Sequence, residues 1–330
     1  MPHKLTLEHA RQVINENTEE IVSEDFVSQA LVSVCLITYN HADFVEEAVD
    51  SILMQETDFP FEIVIGEDAS SDETFDIVDR YQKKYPGIIK ILRSTKNLGQ
   101  LTGTSFQLNF IRNLRACCGK YIAFLEGDDY WLSPNKIQTQ VEALEANAQY
   151  SSSFHDTYVK IYNNPHDMNP WRDFSNVTSM SLADIIAPLS PFHTSSFMAR
   201  RSCINSLPSY FLHSQSGDLV LFIAAAAHGD SIKVNDVWSV YRKHPAGITN
   251  DQSHKGESRH EVRISMHKAL RDHYRRDSQI DSHLFERVIK YHRSHIRKIK
   301  KRNTWWYYLR KRISRSLQIS SKQTRNNTIK

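Results

Sequence analysis

The sequence predicts an α/β protein built on a doubly wound, mostly parallel sheet with helices on both faces. A helical, basic C-terminal extension follows. Three observations carry this prediction. Short β-branched, apolar segments alternate with segments of helical periodicity. The clearest of these strands are apolar at consecutive positions, as strands covered on both faces must be. Each strand ends abruptly in polar or acidic residues, at the edge where open parallel sheets bind ligands.

The elements follow in order. Residues 1–30 space Leu5, Ala10, Val13, Ile14 and Ile21 in a weakly helical way, predicting a helical lead-in. LVSVCLITYN, residues 31–40, is the first strand, and Asn40 suits the N-cap of a helix through Phe44, Val45, Ala48, Val49, Ile52 and Leu53. PFEIVIGED, residues 60–68, is the second. Ser70 and Glu73 have capping-box spacing for a helix that Pro86-Gly87 ends. IIKILRS, residues 88–94, is the third strand, and the loop KNLGQ leads into a helix over 102–117. KYIAFLEGDD, residues 120–129, is the fourth, before a helix around Ile137–Leu144. After residue 150 the pattern loosens. YSSSFHDTYVKIY reads as a strand and NNPHDMNPWRDF as a loop. Residues 193–199 and 232–241 read as strands flanking a helix over 218–227. There is no internal repeat.

Composition excludes several classes. Hydrophobic residues at 40% and charged residues at 24% are those of a globular chain, neither collagen-like nor wholly disordered. The longest apolar run, Leu219–Ala227, is far short of the ~20 residues that cross a bilayer. The N-terminus has no apolar h-region, so no secretory signal is expected. The four cysteines lack metal-type spacing, which favours a reduced, cytoplasmic setting. The net charge of +3 hides an asymmetry. Residues 287–330 hold 15 basic and no acidic residues, while residues 1–286 carry 26 basic against 38 acidic, a net of −12.

Three strand ends carry candidate chemistry. Thr38-Tyr39-Asn40 offers small polar groups and a ring that can hold a nucleoside, and is equally consistent with a capped turn. Glu67-Asp68 can accept a base N–H or a ribose hydroxyl, or can favour the next helix N-terminus. Glu126-Gly127-Asp128-Asp129 places three carboxylates within four residues. Their repulsion calls for a cation, and oxygen ligands of this kind suit Mg²⁺ or Mn²⁺. The alternative is a solvated acidic turn. No GxGxxG follows the first strand, which weakens a dinucleotide-binding reading.

Taken together, VSVCLITYN, FEIVIGEDASSDET and KYIAFLEGDDYW resemble a family 2 glycosyltransferase with the Rossmann-like GT-A fold, from about Leu31 to Gly247. The resemblance implies a nucleotide-diphospho-sugar transferase. Thr38, Tyr39, Asn40, Glu67 and Asp68 would hold base and ribose, and Asn97 and Gly99 would lie near the nucleotide. Glu126-Gly127-Asp128 matches the DxD motif with Glu in first place. Glu126 would then touch ribose or metal-bound water, Asp128 would ligate the metal, and Asp129 would orient donor or acceptor. Asp218, opening an apolar helix, stands at the catalytic-base position. Its structural alternative is a helix N-terminal acid; Asp230 and Asp236, in turns at strand edges, are poorer choices. Tyr241-Arg242-Lys243-His244 resembles the YRxH segment, where His244 would ligate metal and Arg242 or Lys243 would face diphosphate. HTSSFMARR, residues 193–201, resembles the acceptor-side segment, making His193, Thr194 and Ser195 contacts. His155 and Asp156 are weaker acceptor candidates.

The tail lies outside the resemblance. Phe285, Val288, Ile289, His292, Ile296 and Ile299 recur at helical intervals among bases. Trp305, Leu309, Ile313 and Leu317 follow four apart. Such a stripe fits an interfacial helix on an anionic membrane, or a helix packed on the acidic body. The expected arrangement is a lead-in over 1–30, a GT-A domain over 31–250 (nucleotide half 31–130, acceptor half 131–250), and a helical region over 251–330. The expected function is inverting transfer, dependent on Mn²⁺ or Mg²⁺, from a nucleotide-diphospho sugar, UDP favoured and dTDP also fitting. The acceptor would be a hydroxyl of a surface glycan or lipid-linked molecule. The expected site of action is the inner face of the membrane, with no nucleic-acid partner. The competing reading is a non-catalytic nucleotide-sugar-binding assembly protein on the same fold.

Overall fold

The computed structural model of the chain describes residues 5–26, 29–104, 106–161, 164–247, 256–275 and 280–326, with side chains omitted at 164–167, 237 and 306–326. The chain forms two compact units, Met1–Gly247 with Asp277–Ile280, and Ile248–Arg276 with Asp281–Lys330.

The first unit begins with α1 (Leu7–Glu16) and β1 (Thr18–Ile21). Strand and helix then alternate through β2 (Val32–Thr38), α2 (Val45–Leu53), β3 (Phe61–Glu67), α3 (Thr74–Lys84) and β4 (Ile89–Ser94). Next come α4 (Leu98–Thr102), α5 (Gln107–Ala116), β5 (Tyr121–Glu126), β6 (Tyr130–Trp131) and α6 (Lys136–Ala146). The remainder runs through β7 (Tyr150–Ile161), β8 (Asn164–Pro170), β9 (Ser179–Met180), α7 (Leu182–Ile185), β10 (Met198–Arg200), α8 (Arg201–Ile204), α9 (Gly217–Ala226) and β11 (Asp230–Lys243).

One sheet runs in the order β1-β4-β3-β2-β5-β10-β7-β11-β6. Strands β4, β3, β2 and β5 are parallel, β10 is antiparallel to both its neighbours, and β7 and β11 are parallel. The chain moves outward from β2 to β3 and β4, then crosses back to place β5 on the other side of β2. The carboxyl ends of β2 and β5 therefore meet at a topological switch point, where such sheets open a ligand crevice.

Burial explains the consecutive apolar strands. One face packs Val34, Leu36, Ile63 and Ile65 under Ala48, Val49 and Ile52 of α2 and Val141 and Leu144 of α6. The other carries stacked rings, with Phe110 on Phe124 at 5.7 Å and Phe124 on Phe197 at 5.8 Å. The apolar run at Leu219 forms α9, buried on every side from Leu219 to Ala226.

Several local expectations are corrected. The lead-in is not wholly helical: residues 18–21 form an edge strand antiparallel to β4. Asn40 is not an N-cap. It adopts a left-handed φ of 54°, and α2 starts four residues after His41 with Phe44 at its cap. The Ser70–Glu73 capping box does not form. Asp72 Oδ1 accepts from the Thr74 N–H at 3.0 Å, and Ser70 Oγ accepts from the Asn40 N–H at 3.0 Å. Both misreadings have one cause: the two loops tie to each other, a non-local partnership that spacing cannot reveal. KNLGQ is not a plain loop, because Asn97 caps α4, and Gly103, at φ 67°, ends it before α5. NNPHDMNPWRDF includes strand β8, paired antiparallel to β7 beyond residues 162–163, which lie outside the described residues. Its prolines are tolerated because β8 has β7 as its only partner among the described strands. Residues 194–196 form a 3₁₀ turn ahead of the short β10.

The second unit pairs α10 (Gly256–Tyr274) with α11 (His283–Asn326). Phe285, Val288, Ile289 and His292 of the basic stripe are buried, as are Met266, His267 and Leu270 of α10. Trp305 is 57% exposed, whereas the side chains of Leu309, Ile313 and Leu317 lie outside the described residues. Among the described residues no helix is long and apolar enough to cross a membrane.

Candidate active site

The site is assembled from the carboxyl ends of β2, β3 and β5, the start of α9 and the end of β11. Thr38 is buried and Tyr39 is 37% exposed. Asn40 Oδ1 accepts from the Ser71 N–H at 2.8 Å, His41 N–H donates to Thr74 Oγ1 at 2.8 Å, and Ala42 N–H donates to Asp72 Oδ2 at 3.0 Å. Asn40 and Ala69 are both left-handed, at φ 54° and 57°. Such strain concentrates where a fold holds loops for function.

Glu67 and Asp68 are both buried and both engaged. Glu67 accepts from the Ser70 N–H at 2.6 Å and the Ala69 N–H at 3.2 Å, so it shapes the turn. Asp68 Oδ1 accepts from Ser94 Oγ at 2.7 Å and the Leu98 N–H at 3.0 Å, and Oδ2 accepts from Asn97 Nδ2 at 3.1 Å. Arg112 donates to Ser94 Oγ at 2.7 Å and to the Glu67 carbonyl at 3.1 Å, and burial lowers its pKa to about 10. Gly99 lies in α4, and Asn97, its N-cap, docks the helix on Asp68.

The acidic turn after β5 is the electrostatic centre. Gly127 N–H donates to the Ile37 carbonyl at 2.9 Å, holding the turn against β2. A Cβ at Gly127 would stand 2.6 Å from Thr38 Oγ1, so the close approach requires glycine. Asp128 Oδ2 lies 3.0 Å from His244 Nε2 and 3.9 Å from His41 Nε2. Burial alone would raise its pKa, but His41 and His244 hold it below the usual carboxylate range. Asp129 Oδ1 accepts from the Arg242 N–H at 3.0 Å, while its buried Oδ2 has no hydrogen-bond partner. Burial, then the Asp128 and Glu126 charges, push Asp129 well up. Burial, then Asp128 and Asp218, raise Glu126 to about 8.

Arg242 clamps this turn. It donates to the Asp128 carbonyl at 2.7 Å, pairs with Glu47, and lies 4.3 Å over the Tyr130 ring. It is thus buried and internally engaged, unlike an arginine presented to a diphosphate. Asp218 is half-buried in the first turn of α9, close enough to act on Glu126 electrostatically.

The structure also gathers Glu126, Asp129 and His193, whose ligand atoms all lie within 4.8 Å of one another. Burial lowers His193 to about 4, keeping its imidazole neutral. Two carboxyls whose pKa values burial and mutual repulsion push up, a buried carboxylate oxygen without a hydrogen-bond partner and a neutral imidazole fit a divalent cation, which would relieve the repulsion and take up the open lone pairs. His193 stacks on Tyr241 at 4.3 Å, and Trp171 stands edge-on to both rings. Thr194 and Ser195 are buried behind it. His155 and Asp156 are not presented to a ligand: His155 is fully buried against the Asp156 carbonyl, and Asp156 pairs with Lys233 at 3.0 Å. Sequence reasoning missed His41 and Glu47. His41 follows Asn40 directly and was within reach of the motif, whereas Glu47 meets Arg242 across 195 residues and leaves no local signal.

Comparisons with known proteins give the family and the fold. The family model described as Glycosyl transferase family 2 matches residues 33–206. An uncharacterised protein of Mycobacterium tuberculosis is 31% identical over 223 residues, 66% of this chain and 60% of the relative. The chain thus spans less than two thirds of that relative. The UDP-Glc:α-D-GlcNAc-diphosphoundecaprenol β-1,3-glucosyltransferase of Escherichia coli is 28% identical over 146 residues, 42% of this chain and 53% of the relative. The solved structure of S. aureus TarS with UDP-GlcNAc superposes with a TM-score of 0.57 at 18% identity, covering 78% of this chain and 70% of that one.

Proposed function

The chain belongs to glycosyl transferase family 2, and from that premise we propose that it transfers a sugar from a nucleotide-diphospho sugar to an acceptor hydroxyl with inversion. The single observation that carries this reading is the carboxylate cluster at the β2–β5 switch point with Asp218 acting on it. Thr38, Tyr39, Asn40 and Asp68 frame the nucleoside end, with Glu67, Asn97 and Gly99 holding that frame in place. Asp218 takes the proton of the acceptor hydroxyl as its oxygen attacks the anomeric carbon. Glu126, Asp129 and His193 would hold Mn²⁺ or Mg²⁺. Asp128, ionised beside His244, supplies the adjacent negative charge expected of a metal ligand. When bound, the cation neutralises the departing diphosphate.

UDP is the favoured carrier, because a carboxylate such as Asp68 accepts from the imide N–H of uracil. The E. coli relative's UDP-Glc supports this. A thermal-shift screen of nucleotide sugars with Mn²⁺ tests the donor class, since a ligand bound only by the folded state raises its stability. UDP-sugars are expected to raise the melting temperature more than GDP-sugars. Equal or reversed shifts contradict the UDP assignment.

The acceptor is a surface glycan or lipid-linked molecule, met by an enzyme peripheral to the inner face of the membrane. The lipid-diphosphate acceptor of the E. coli relative and the basic stretch 287–330 support this. Each base near an anionic surface contributes ~1 kcal/mol. The full chain is expected to sediment with anionic liposomes, and removal of residues 287–330 to abolish it. A truncated chain that still pellets fully removes the tail from that role.

A further inference from the structure

The carboxylate of Asp68 has most of its acceptor capacity assigned within the fold. Its two oxygens offer about four lone-pair positions. Oδ1 accepts from Ser94 Oγ at 2.7 Å and from the Leu98 N–H at 3.0 Å, which fills it. Oδ2 accepts from Asn97 Nδ2 at 3.1 Å, which leaves it one position among the described residues. Asp68 is 3% exposed, so these partners, rather than bulk water, decide what it can take.

Each of these donors is itself held. Arg112 Nη1 donates to Ser94 Oγ at 2.7 Å, and a guanidinium can only donate. The Ser94 oxygen therefore accepts from Arg112, and its one proton is directed to Asp68. Arg112 is buried and anchored in turn: Nη2 donates to the Glu67 carbonyl at 3.1 Å and to Asn109 Oδ1 at 2.6 Å. Asn109 Nδ2 donates to the Gly66 carbonyl at 2.9 Å, which ties α5 to the end of β3. On the other side, Asn97 Oδ1 caps α4 by accepting from the Gln100 N–H at 2.9 Å. That role turns Nδ2 toward Asp68, and Leu98 opens the same helix. The carboxylate is thus gripped from β4 and α4 and, through Ser94, from α5.

We infer that Ser94 and Arg112 are positioning residues that set the base preference of the donor site, by filling Oδ1 of Asp68 so that only Oδ2 can take a base. The inference rests on the reading of Asp68 as the base contact. One open position matches a base with a single N–H on its pairing edge, as uracil and thymine have at the imide nitrogen. Guanine presents two parallel N–H groups there. A carboxylate takes such a pair with both oxygens, as it takes the fork of an arginine. At Asp68 one of the two would meet the filled Oδ1 and be left without a partner, which costs more than the other gains. Base choice is thereby built into a hydroxyl on β4 and a guanidinium on α5, neither of which need touch the nucleotide.

The test is calorimetric titration of the full chain, with Mn²⁺, by UDP and by GDP. The readout is the ratio of the two affinities, since a general loss of structure weakens both nucleotides alike. The parent is expected to bind UDP about tenfold or more tightly than GDP. Ser94→Ala opens a position on Oδ1 and is expected to cut that ratio about tenfold, whereas Ser94→Thr, which keeps the hydroxyl, preserves it. Arg112→Met frees the Ser94 proton to turn away and is expected to lower the ratio as well. Asp68→Ala is expected to abolish the preference. If Asp68→Ala keeps it, or the parent lacks it, the reading of Asp68 and this inference fall together. If Asp68→Ala loses it while Ser94→Ala or Arg112→Met keeps it, the inference alone is overturned. Circular dichroism checks that the variants fold. Should Ser94→Ala not fold, Ser94→Cys, close in size with only a weak donor, decides by the same ratio.

Discussion

Asp218→Asn is expected to lower glycosyl transfer about 100- to 10,000-fold, the range over which a positioned general base acts. The donor KM should change little, because Asp218 belongs to the first turn of α9, whereas the proposed nucleotide frame is built on the residues that follow β2 and β3. Asparagine keeps the size and the helix-start position but cannot accept a proton. Steady-state kinetics at saturating donor check this. A kcat within threefold of the parent would remove Asp218 from the base role and leave the fold and donor assignments standing.

Glu126→Gln separates stability from catalysis. Burial first, and then Asp128 and Asp218, raise Glu126 to about 8, so it is protonated through neutral pH. Relative to an ordinary glutamate near 4.3, that raised value stabilises the folded state at low pH, and the contribution is lost as pH rises through 8. Glutamine mimics the protonated form. The variant should match the parent in melting temperature near pH 4, where the glutamate is protonated in both states, and exceed it by a growing margin as pH rises towards 8 and beyond. Mn²⁺ should erase the difference by stabilising the ionised parent, since ligand deprotonation couples metal binding to pH. Transfer by the variant should fall about 100-fold or more, because one ligand of the cluster is gone. Thermal melts across pH, with and without Mn²⁺, check the first part. A variant less stable than the parent at pH 9 would contradict the electrostatics assigned to the turn.

The site was partly legible because its parts are short and local. Strand β5 ends in Glu126-Gly127-Asp128-Asp129, and both the repulsion and the glycine's close approach follow from four adjacent residues. The same holds for Thr38-Tyr39-Asn40 and Glu67-Asp68, although Glu67 proved to shape its own turn. What was not legible depends on distant pairing. Arg242 reads as a phosphate contact in sequence, yet the fold turns it inward onto Glu47 and the Asp128 carbonyl. His193 reads as an acceptor-side residue, yet joins Glu126 and Asp129 because β10 inserts antiparallel between β5 and β7. No periodicity encodes that insertion, since β10 is only three residues long.

The central claim is cation-assisted transfer from a nucleotide-diphospho sugar at the β2–β5 switch point. The most direct measurement is nucleotide release from UDP-sugars by the full chain with Mn²⁺, with EDTA, and with EDTA followed by excess Mn²⁺. Turnover should appear with Mn²⁺, vanish with EDTA and return on re-addition, and Asp128→Ala should lack it throughout. Turnover that persists in EDTA and in Asp128→Ala would contradict the account.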